Sequence, residues 1–479
     1  MKIPLVSARE QKELNALLWL VACGFFMQTL DATIINTALP SMARSLGESP
    51  LRMQSVVVSY SLTMAMLIPA SGWIADRFGT RRVYVSAIAM FVAGSLLCAA
   101  SASLTQLVAA RVVQGMGGAL LLPVGRLAVL RSFPRSYFLP AMSFMAIPGL
   151  LGPLMGPTLG GWLVEVASWH WIFLINLPVG LAGAVATLIY MRGSAQERSA
   201  RFDLVGYLLL AFGMVCVSLA LDGMSSLGLN HVGILLLVIF GLMSLSSYWL
   251  HAARHEHPLF PPDLFSNPSL SIGLLGSLFS RLGSSGMPLM VPLLLQVSMG
   301  YSPFHAGMMM LPVAMAAMTV KRLVTTLITR AGYRRVLVLN TMLLGLIMAS
   351  FALASPDRVW WVLSLQLTGF GAVNSLQFTA MNTLTLKDLD PLHASSGNAL
   401  LSMVQMLAIG MGVASAGGVL AAFTSLFGSS TSVQTLNAFH ATFACMGLMT
   451  LASASIFWQL TPGASQVPQS ASPELSNPG

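Results

Sequence analysis

The sequence predicts an all-α protein that crosses a membrane many times, and two observations carry this prediction. Hydrophobic residues fill 56% of the 479 positions, whereas charged residues fill only 8%. A soluble protein of this length would carry about 25% charged residues. The apolar residues also fall into fourteen long segments. Each segment has about 20 residues or more, which is the length that an α-helix needs to cross the hydrocarbon core of a bilayer.

The fourteen segments follow one another with short polar loops between most of them. Their bounds are 14–38, 53–73, 83–102, 104–126, 138–164, 170–191, 203–222, 231–251, 268–293, 305–325, 335–354, 359–386, 396–422 and 437–459. Because the number of segments is even, both termini are predicted to lie on the same side of the membrane.

The basic residues indicate which side that is. Loops on the side of the termini hold sixteen Lys and Arg residues, and the opposite loops hold three. Cytoplasmic loops carry such an excess, so both termini are predicted to be cytoplasmic. The same distribution explains the net charge of +9 without a nucleic-acid partner, and no nucleic-acid binding is predicted.

The order of the segments predicts five regions. Residues 1–13 form a cytoplasmic N-terminus, residues 14–192 a six-helix bundle, residues 203–251 two inserted helices and residues 268–460 a second six-helix bundle. Residues 461–479 are rich in Pro and Ser and predict a disordered cytoplasmic tail. A weak internal repeat supports this division, because the basic turn in residues 72–82 has a degraded counterpart in residues 321–335 that lacks the acid.

The turn after the second segment carries a dense group of charged and glycine residues, namely Gly72, Asp76, Arg77, Gly79, Arg81 and Arg82. This pattern resembles the loop signature between helices 2 and 3 of major facilitator superfamily transporters. Residues 30–40, 111–119, 152–161 and 169–178 resemble, in order, motifs of the fourteen-span drug:proton antiporters of that superfamily, the DHA2 family. The resemblance covers nearly the whole chain.

The resemblance implies a major facilitator fold, with two six-helix bundles plus two additional helices, in the bacterial cell inner membrane. It also implies export of a small molecule in exchange for protons, driven by the proton gradient without a cofactor. Lipid, the small-molecule substrate and protons are then the expected partners. The resemblance does not specify an outer-membrane or adaptor partner, which is unknown from the sequence.

Asp31 is the only acid deep inside a predicted segment, and Arg111 lies at a similar distance from the external end of its own segment. An opposite charge is the simplest way to tolerate either residue in a membrane. Three roles stay open. The pair can fix helix packing, it can couple transport to a proton carried by Asp31, or Asp31 can contact the substrate directly.

The other motif residues have two interpretations each. The turn after the second segment is either a gate between the two bundles or a plain positive anchor on the cytoplasmic side. In that turn Gly72 would admit a neighbouring helix, and Asp76 would cap one. The antiporter motif, formed by Gly152, Pro153, Gly156, Pro157, Gly160 and Gly161, predicts either a flexing interface helix or generic close packing.

Polar residues inside apolar segments are the candidates for a substrate cavity: Asn36, Gln114, Arg281, Asn374, Gln377 and Gln405. For the amides of the second bundle, hydrogen bonding between helices is the alternative role. The buried basic candidates also include Arg126, Lys321 and Arg322, which near the cytoplasmic edge can extend to the interface instead. Several buried cations against one acid favour an anionic cargo, such as a polycarboxylate or a metal–carboxylate chelate.

Several classes of protein are excluded. No Gly-Lys dipeptide occurs, so the chain has no Walker A loop, and neither H-E-x-x-H nor G-x-S-x-G occurs. The chain is therefore predicted not to be an enzyme. His251, His255, Glu256 and His257 are expected to be solvated, and no metal site is predicted. A non-transporting membrane sensor is the alternative of a different class.

Overall fold

The structure is a computed structural model that describes residues 8–133, 138–191, 202–222, 230–355, 360–389, 394–428 and 431–460. In these ranges the chain is almost entirely helical, which confirms the predicted all-α fold class. The α-helices are α1 (Ala8–Leu46), α2 (Gln54–Leu67), α3 (Ser71–Phe78), α4 (Thr80–Ala99), α5 (Leu104–Ser132), α6 (Phe138–Val166), α7 (Trp171–Leu174), α8 (Asn176–Tyr190), α9 (Leu204–Asp222), α10 (His231–Ala252), α11 (Pro268–Ser284), α12 (Met287–Leu293), α13 (Pro303–Met308), α14 (Leu311–Ser350), α15 (Trp360–Leu386), α16 (Ala394–Phe427) and α17 (Ser432–Trp458).

These helices supply fourteen segments of membrane-spanning length within the described residues. Twelve stretches are both long and apolar enough to cross a membrane. Helices α6 and α15, with 29 and 27 residues, add two more of sufficient length. Several short helices continue one another along a single span, as α2 and α3 do between Gln54 and Phe78. Helix α14 holds two spans, 303–321 with α13 and 326–353.

The first span is longer than the sequence predicts. Helix α1 begins at Ala8 and runs through Pro40 to Leu46, whereas the apolar segment was bounded at 14–38. Met42 and Ala43, which follow the proline, are fully buried. Their packing keeps the last turn helical although Pro40 cannot donate a backbone hydrogen bond. The predicted tail, residues 461–479, lies outside the described residues.

Packing groups the helices into two halves and an inserted pair. In the first half α1 packs on α6 and α4 packs on α5 and α8; in the second, α14 packs on α15 and α17, and α11 on α16 and α17. Helices α9 and α10 pack on each other, and α9 also contacts α2 and α16. The inserted pair therefore lies beside the place where α2 and α16 join the two halves.

The two basic turns of the predicted repeat have the same backbone conformation. Gly79, between α3 and α4, has φ 85° and ψ 136°. Gly332, within α14, has φ 76° and ψ 156° and divides that element into two helices. Only glycine adopts such angles without strain. Each turn is followed within three residues by two arginines, Arg81 and Arg82 or Arg334 and Arg335.

The halves meet closely on the membrane side opposite to the start of α1. The Gln296 amide donates to the Thr37 carbonyl at 3.0 Å, and the Thr158 hydroxyl donates to the Gly307 carbonyl at 3.3 Å. Farther out, Glu165 accepts hydrogen bonds from the Ser302 hydroxyl at 3.0 Å and from a backbone amide of α13 at 3.3 Å. These bonds join α1 and α6 to the first spans of the second half, and so close that side of the interface.

Candidate functional site

The buried acid and the buried base identified in the sequence are in direct contact. Arg111 Nη1 lies 2.7 Å from Asp31 Oδ2, and neither side chain is more than 1% exposed. The pair joins the middle of α1 to α5. Removing either partner would leave an uncompensated charge inside the protein, so the two side chains depend on each other.

Amide and hydroxyl groups complete a hydrogen-bond network around the carboxylate. Gln114 Nε2 donates to Asp31 Oδ1 at 2.8 Å and to Ser95 Oγ at 2.9 Å, while Gln114 Oε1 accepts from Arg111 at 2.6 Å. Asn176 Nδ2 donates to Asp31 Oδ1 at 3.0 Å. Asp31 thus accepts hydrogen bonds from Arg111, Gln114 and Asn176, and the network joins α1, α4, α5 and α8.

The guanidinium group of Arg111 is also held from its flat face. Its Cζ atom lies 4.1 Å from the centroid of the Tyr60 ring, and its Nε donates to the Val56 carbonyl at 3.3 Å. Both partners are on α2. An aromatic face and a carbonyl suit a planar cation better than a point charge, so this position favours arginine over lysine.

This network shows which residues the sequence interpretation missed. Asp31 and Arg111 were paired because of their equal depth, and Gln114 was expected in a substrate cavity, whereas it lies in the ion-pair network and is fully buried. Asn176 and Ser95 were not singled out. Asn176 does fall within residues 169–178, a stretch noted for family resemblance, and a polar amide within an apolar helix was the available signal.

The charged side chains of the basic turn have their described ion pair and hydrogen bond within the first half. Asp76 Oδ1 lies 2.6 Å from Arg131 Nη2, at the end of α5, and Arg81 donates to the Leu188 carbonyl in the last turn of α8. Arg77 and Arg82 are exposed. In this conformation the carboxylate of Asp76 is therefore engaged by an arginine and does not cap a neighbouring helix.

The close approach expected at Gly72 is absent from the described part of the chain. A methyl group added at Gly72 would meet no described atom within 4 Å. Gly72 is exposed at the end of the second span. The described residues of this conformation show no such contact, and the expected approach of a helix to Gly72 stays a prediction.

The antiporter motif packs mainly inside the first half. A methyl group added at Gly152, Gly156 or Gly160 would lie within 2.2–2.4 Å of α1 atoms, so these glycines let α6 pack tightly on α1. Of the four motif glycines compared by the same added methyl group, Gly161 is the one that meets the other half, at 2.2 Å from the Pro303 carbonyl oxygen. The glycines of the antiporter motif thus form a packing surface, and the last of them, Gly161, lies at the interface between the halves.

A cavity of about 310 Å³ lies between the halves. From the first half it is lined by Thr33 and Asn36 of α1 and by Pro153 and Pro157 of α6. From the second half it is lined mostly by apolar side chains of α14 and α15 and by the polar groups of Ser280, Arg281, Ser284, Lys321, Asn374, Ser375 and Gln377. Among the described lining residues two are basic and none is acidic.

Arg281 is the charged group nearest to the protein interior in this cavity. Its Nε and Nη2 atoms are buried and have no hydrogen-bond acceptor among the described residues. Its Cζ lies 4.7 Å from the centroid of the Phe378 ring. Burying a cation without a counter-ion is unfavourable, and an anion in the cavity would supply the acceptors that these two atoms lack.

The amide candidates divide into two groups. Asn36, Asn374 and Gln377 line the cavity. Gln377 is also bonded to Asn340 at 2.7 Å and to the Thr341 hydroxyl at 2.7 Å, so it joins two helices as well. Gln405 does not line the cavity, and its Nε2 donates to Asn382 Oδ1 at 2.6 Å. Arg322, another basic candidate, has a side chain outside the description.

Comparison with known proteins agrees with this architecture. A family model described as the Major Facilitator Superfamily matches residues 21–413. The chain is 52% identical over 440 residues to "Putative multidrug resistance protein MdtD" of Pectobacterium carotovorum subsp. carotovorum (strain PC1), covering 92% of this chain and 94% of that one. It is 50% identical over 446 residues to the protein of the same name from Yersinia enterocolitica, covering 93% and 94% of the two chains.

Solved structures share the fold at low sequence identity. The crystal structure of the nucleoside transporter NupG superposes with a TM-score of 0.65 at 14% identity, covering 92% of this chain and 98% of that one. The crystal structure of a D-xylose-proton symporter gives a TM-score of 0.65 at 15% identity, covering 93% and 98%.

Proposed function

Because this chain belongs to the Major Facilitator Superfamily, we propose that it is a proton-coupled antiporter that exports small molecules across the bacterial inner membrane. Both termini are assigned to the cytoplasm. The cavity between the halves binds the cargo, and Asp31 carries the proton. The relatives named for multidrug resistance support a small organic cargo.

The buried network around Asp31 is the observation that carries the proton assignment. A carboxylate at this depth is a functional candidate, since a membrane interior disfavours unpaired charge. Arg111 and the two amides of Gln114 and Asn176 donate hydrogen bonds to its oxygens. A proton on Asp31 would remove the charge that attracts Arg111, and so would loosen the contact of α1 with α5.

The position of α1 connects the proton site to the cargo site. Asp31 faces α5, whereas Thr33 and Asn36 line the cavity. Thr33 Oγ1 also donates to the Gly152 carbonyl of α6 at 3.2 Å. A displacement of α1 relative to α5 would therefore change the cavity wall and the position of α6 together.

The closed seam on the side opposite to the termini supports alternating access. In the proposed orientation, the bonds of Gln296, Thr158 and Glu165 seal the external side. The cavity would then be reached from the cytoplasm in this conformation. Rocking of the two halves about the cavity is how such repeats exchange one opening for the other.

The proposal is tested by drug-induced proton release and by pH-driven efflux in everted vesicles. Asp31→Asn is expected to abolish pH-driven export while cargo still binds to the purified protein. Asp263→Asn is the matched control, because Asp263 is an exposed carboxylate outside the network. Full pH-driven export by Asp31→Asn would show that another group carries the proton. If the wild-type protein moved none of the compounds tested, the non-transporting sensor would be favoured.

A second candidate function keeps the mechanism and changes the cargo to an anion, such as a polycarboxylate or its metal chelate. Arg281 favours it, because the buried Nε and Nη2 atoms have no acceptor in the described chain and the described cavity wall holds no acid. A carboxylate would supply both the missing charge and the acceptors, and arginine binds carboxylates with two parallel bonds.

The two cargo classes are separated by comparing cationic dyes with di- and tricarboxylates, each with and without iron, in the same proton-release assay. For an anionic cargo, Arg281→Gln should abolish the carboxylate signal, whereas Arg330→Gln, which changes an exposed arginine of α14, should leave it intact. A signal from dyes alone, unaffected by Arg281→Gln, would make Arg281 a packing residue.

A further inference from the structure

A cluster of two histidines and one aspartate lies where α9 begins and α10 ends. Asp203 precedes α9, His251 is in the last turn of α10, and His255 follows in the linker to the second half. Asp203 Oδ1 lies 2.8 Å from His251 Nε2. One ligand atom from each of Asp203, His251 and His255 lies within 4.8 Å of the others.

The scaffold of the cluster is fixed by hydrogen bonds to the backbone. Asp203 accepts from the Gly206 amide at 2.8 Å and from the Leu259 amide at 3.3 Å. The Tyr248 hydroxyl accepts from the Phe260 amide at 2.9 Å. The linker is thus held just after His255, which keeps this residue near the pair formed by Asp203 and His251.

The carboxylate of Asp203 is enclosed by its hydrogen-bond partners. Its two oxygens contact the Gly206 amide, the Leu259 amide and the ring of His251. The Asp203 side chain is 2% exposed, and that of His251 is 24% exposed. A largely enclosed carboxyl group beside two imidazoles is a suitable ligand set for a cation.

His255 is the member that a purely structural role leaves unexplained. Its ring stacks on that of His251, with centroids 4.9 Å apart and planes at 24°. It is exposed, and the described hydrogen bonds between side chains give it no protein partner. The bond between Asp203 and His251 fastens α9 to α10 without it, so its position beside both residues calls for another function.

We propose that Asp203, His251 and His255 bind a divalent first-row transition metal ion, such as Zn²⁺, at the side of the membrane where the chain begins. Two imidazoles and one carboxylate form a set that such ions accept, with further positions open to water or to Glu256. The site goes beyond transport itself, because it lies at the ends of the inserted helices and not on the wall of the cavity.

The geometry needs one small adjustment. Ligand atoms about 2.1 Å from an ion lie roughly 3.0–3.4 Å from each other in octahedral or tetrahedral sites. The Asp203 and His251 atoms are already 2.8 Å apart, and the exposed His255 ring can turn inward to join them. The ion takes the place of the proton between His251 and Asp203, and that proton leaves to solvent.

A bound ion would fasten three segments at one point: the start of α9, the end of α10 and the linker toward α11. No local sequence pattern predicts this contact, because Asp203 lies 48 positions from His251. The histidines alone, with their spacing of four residues, were expected to be solvated. The fold supplies the carboxylate that completes the set.

The test uses full-length protein in detergent, without a histidine tag and stripped of metal by a chelator. Co²⁺ is titrated as a spectroscopic probe, Zn²⁺ as its competitor, and metal content is measured after gel filtration. The variants are His255→Ala and Asp203→Asn. The asparagine side-chain oxygen can still accept the hydrogen bond from the Gly206 amide at the start of α9. His257→Ala is the matched control, since His257 is exposed and outside the cluster.

Wild-type protein is expected to bind one ion per chain. Loss of an outer-shell group alone reduces metal affinity about 10–100-fold, so loss of a ligand should reduce it at least about tenfold. His257→Ala should bind as the wild type does. Absence of saturable binding, or equal losses in His255→Ala and His257→Ala, would overturn the proposal. Hydrogen exchange should also slow in residues 253–260 on metal addition in the wild type and not in His255→Ala.

Discussion

Asn176 and Asp31 lie 145 positions apart in the sequence, yet Asn176 Nδ2 donates to Asp31 Oδ1 at 3.0 Å. Asn176 is the first residue of α8, so the bond ties the start of that helix to the middle of α1. It is one of three side-chain donors that surround the carboxylate. The position of Asp31 is therefore fixed from two sides, by the arginine of α5 and by the amide of α8.

Asn176→Ala removes one donor from a buried carboxylate. The expected loss of stability is about 1–3 kcal/mol, since the carboxylate oxygen is left with one partner fewer. Thermal unfolding in detergent measures it, and pH-driven efflux should slow in the same variant. Asn437→Ala, at an exposed position of α17, should change stability by less than about 0.5 kcal/mol. Equal effects of the two substitutions would contradict the assigned bond.

Arg111→Gln leaves Asp31 buried without its cation, and a loss of about 3–5 kcal/mol is expected. Adding Asp31→Asn to that variant removes the uncompensated charge and should restore most of the stability. Denaturation of the two single variants, the double variant and the wild type closes a double-mutant cycle. Additive losses would show that the two side chains do not depend on each other.

Gly161→Ala should weaken the closed seam between the halves. The added methyl group would lie 2.2 Å from the Pro303 carbonyl oxygen, a backbone atom that moves only if α6 and α13 separate. Hydrogen–deuterium exchange should then accelerate in residues 158–166 and 300–308. Gly418→Ala is the control, because the nearest described atom to its methyl group is 3.8 Å away. Unchanged exchange at the seam in Gly161→Ala would refute the predicted contact.

Gly79→Ala and Gly332→Ala should each destabilise the protein by about 1–3 kcal/mol, because both glycines have backbone angles that other residues adopt only under strain. Gly183→Ala, inside α8, should have the opposite sign, with a gain of up to about 1 kcal/mol. Among the described atoms, its methyl group meets only Ile88, at 3.7 Å. Melting temperatures of the three variants test both expectations. A higher melting temperature for Gly332→Ala would contradict the positive φ angle assigned to Gly332.

The sequence was sufficient for features that depend on composition or on depth in the membrane. Apolar length predicted the helices, and equal depth predicted the contact of Asp31 with Arg111. It was insufficient where partners come from distant spans. The residues next to Asn176 or Asp203 in the sequence do not show which helix packs against them. Gln114 was predicted to line the cavity because the sequence alone does not show which face of α5 packs against which neighbouring helix.

The close packing of helices at glycines was harder to predict than the pairing of charges, because it too depends on distant parts of the chain. Glycines at Gly72, Gly156 and Gly161 look alike in the sequence, yet one is open, one packs on α1 and one meets the other half. What a glycine permits depends on the helix that arrives beside it. That arrangement is a property of the whole bundle.

Helix α1 has Asp31 on one face and Thr33 on another, two residues farther along a rigid rod. The rise between them is only about 3 Å. In the proposed exchange, the proton site and the cargo site therefore need no chain of side chains between them, because both lie on helix α1. Coupling through one helix acts in both directions. Cargo that binds in the cavity would therefore change the proton affinity of Asp31.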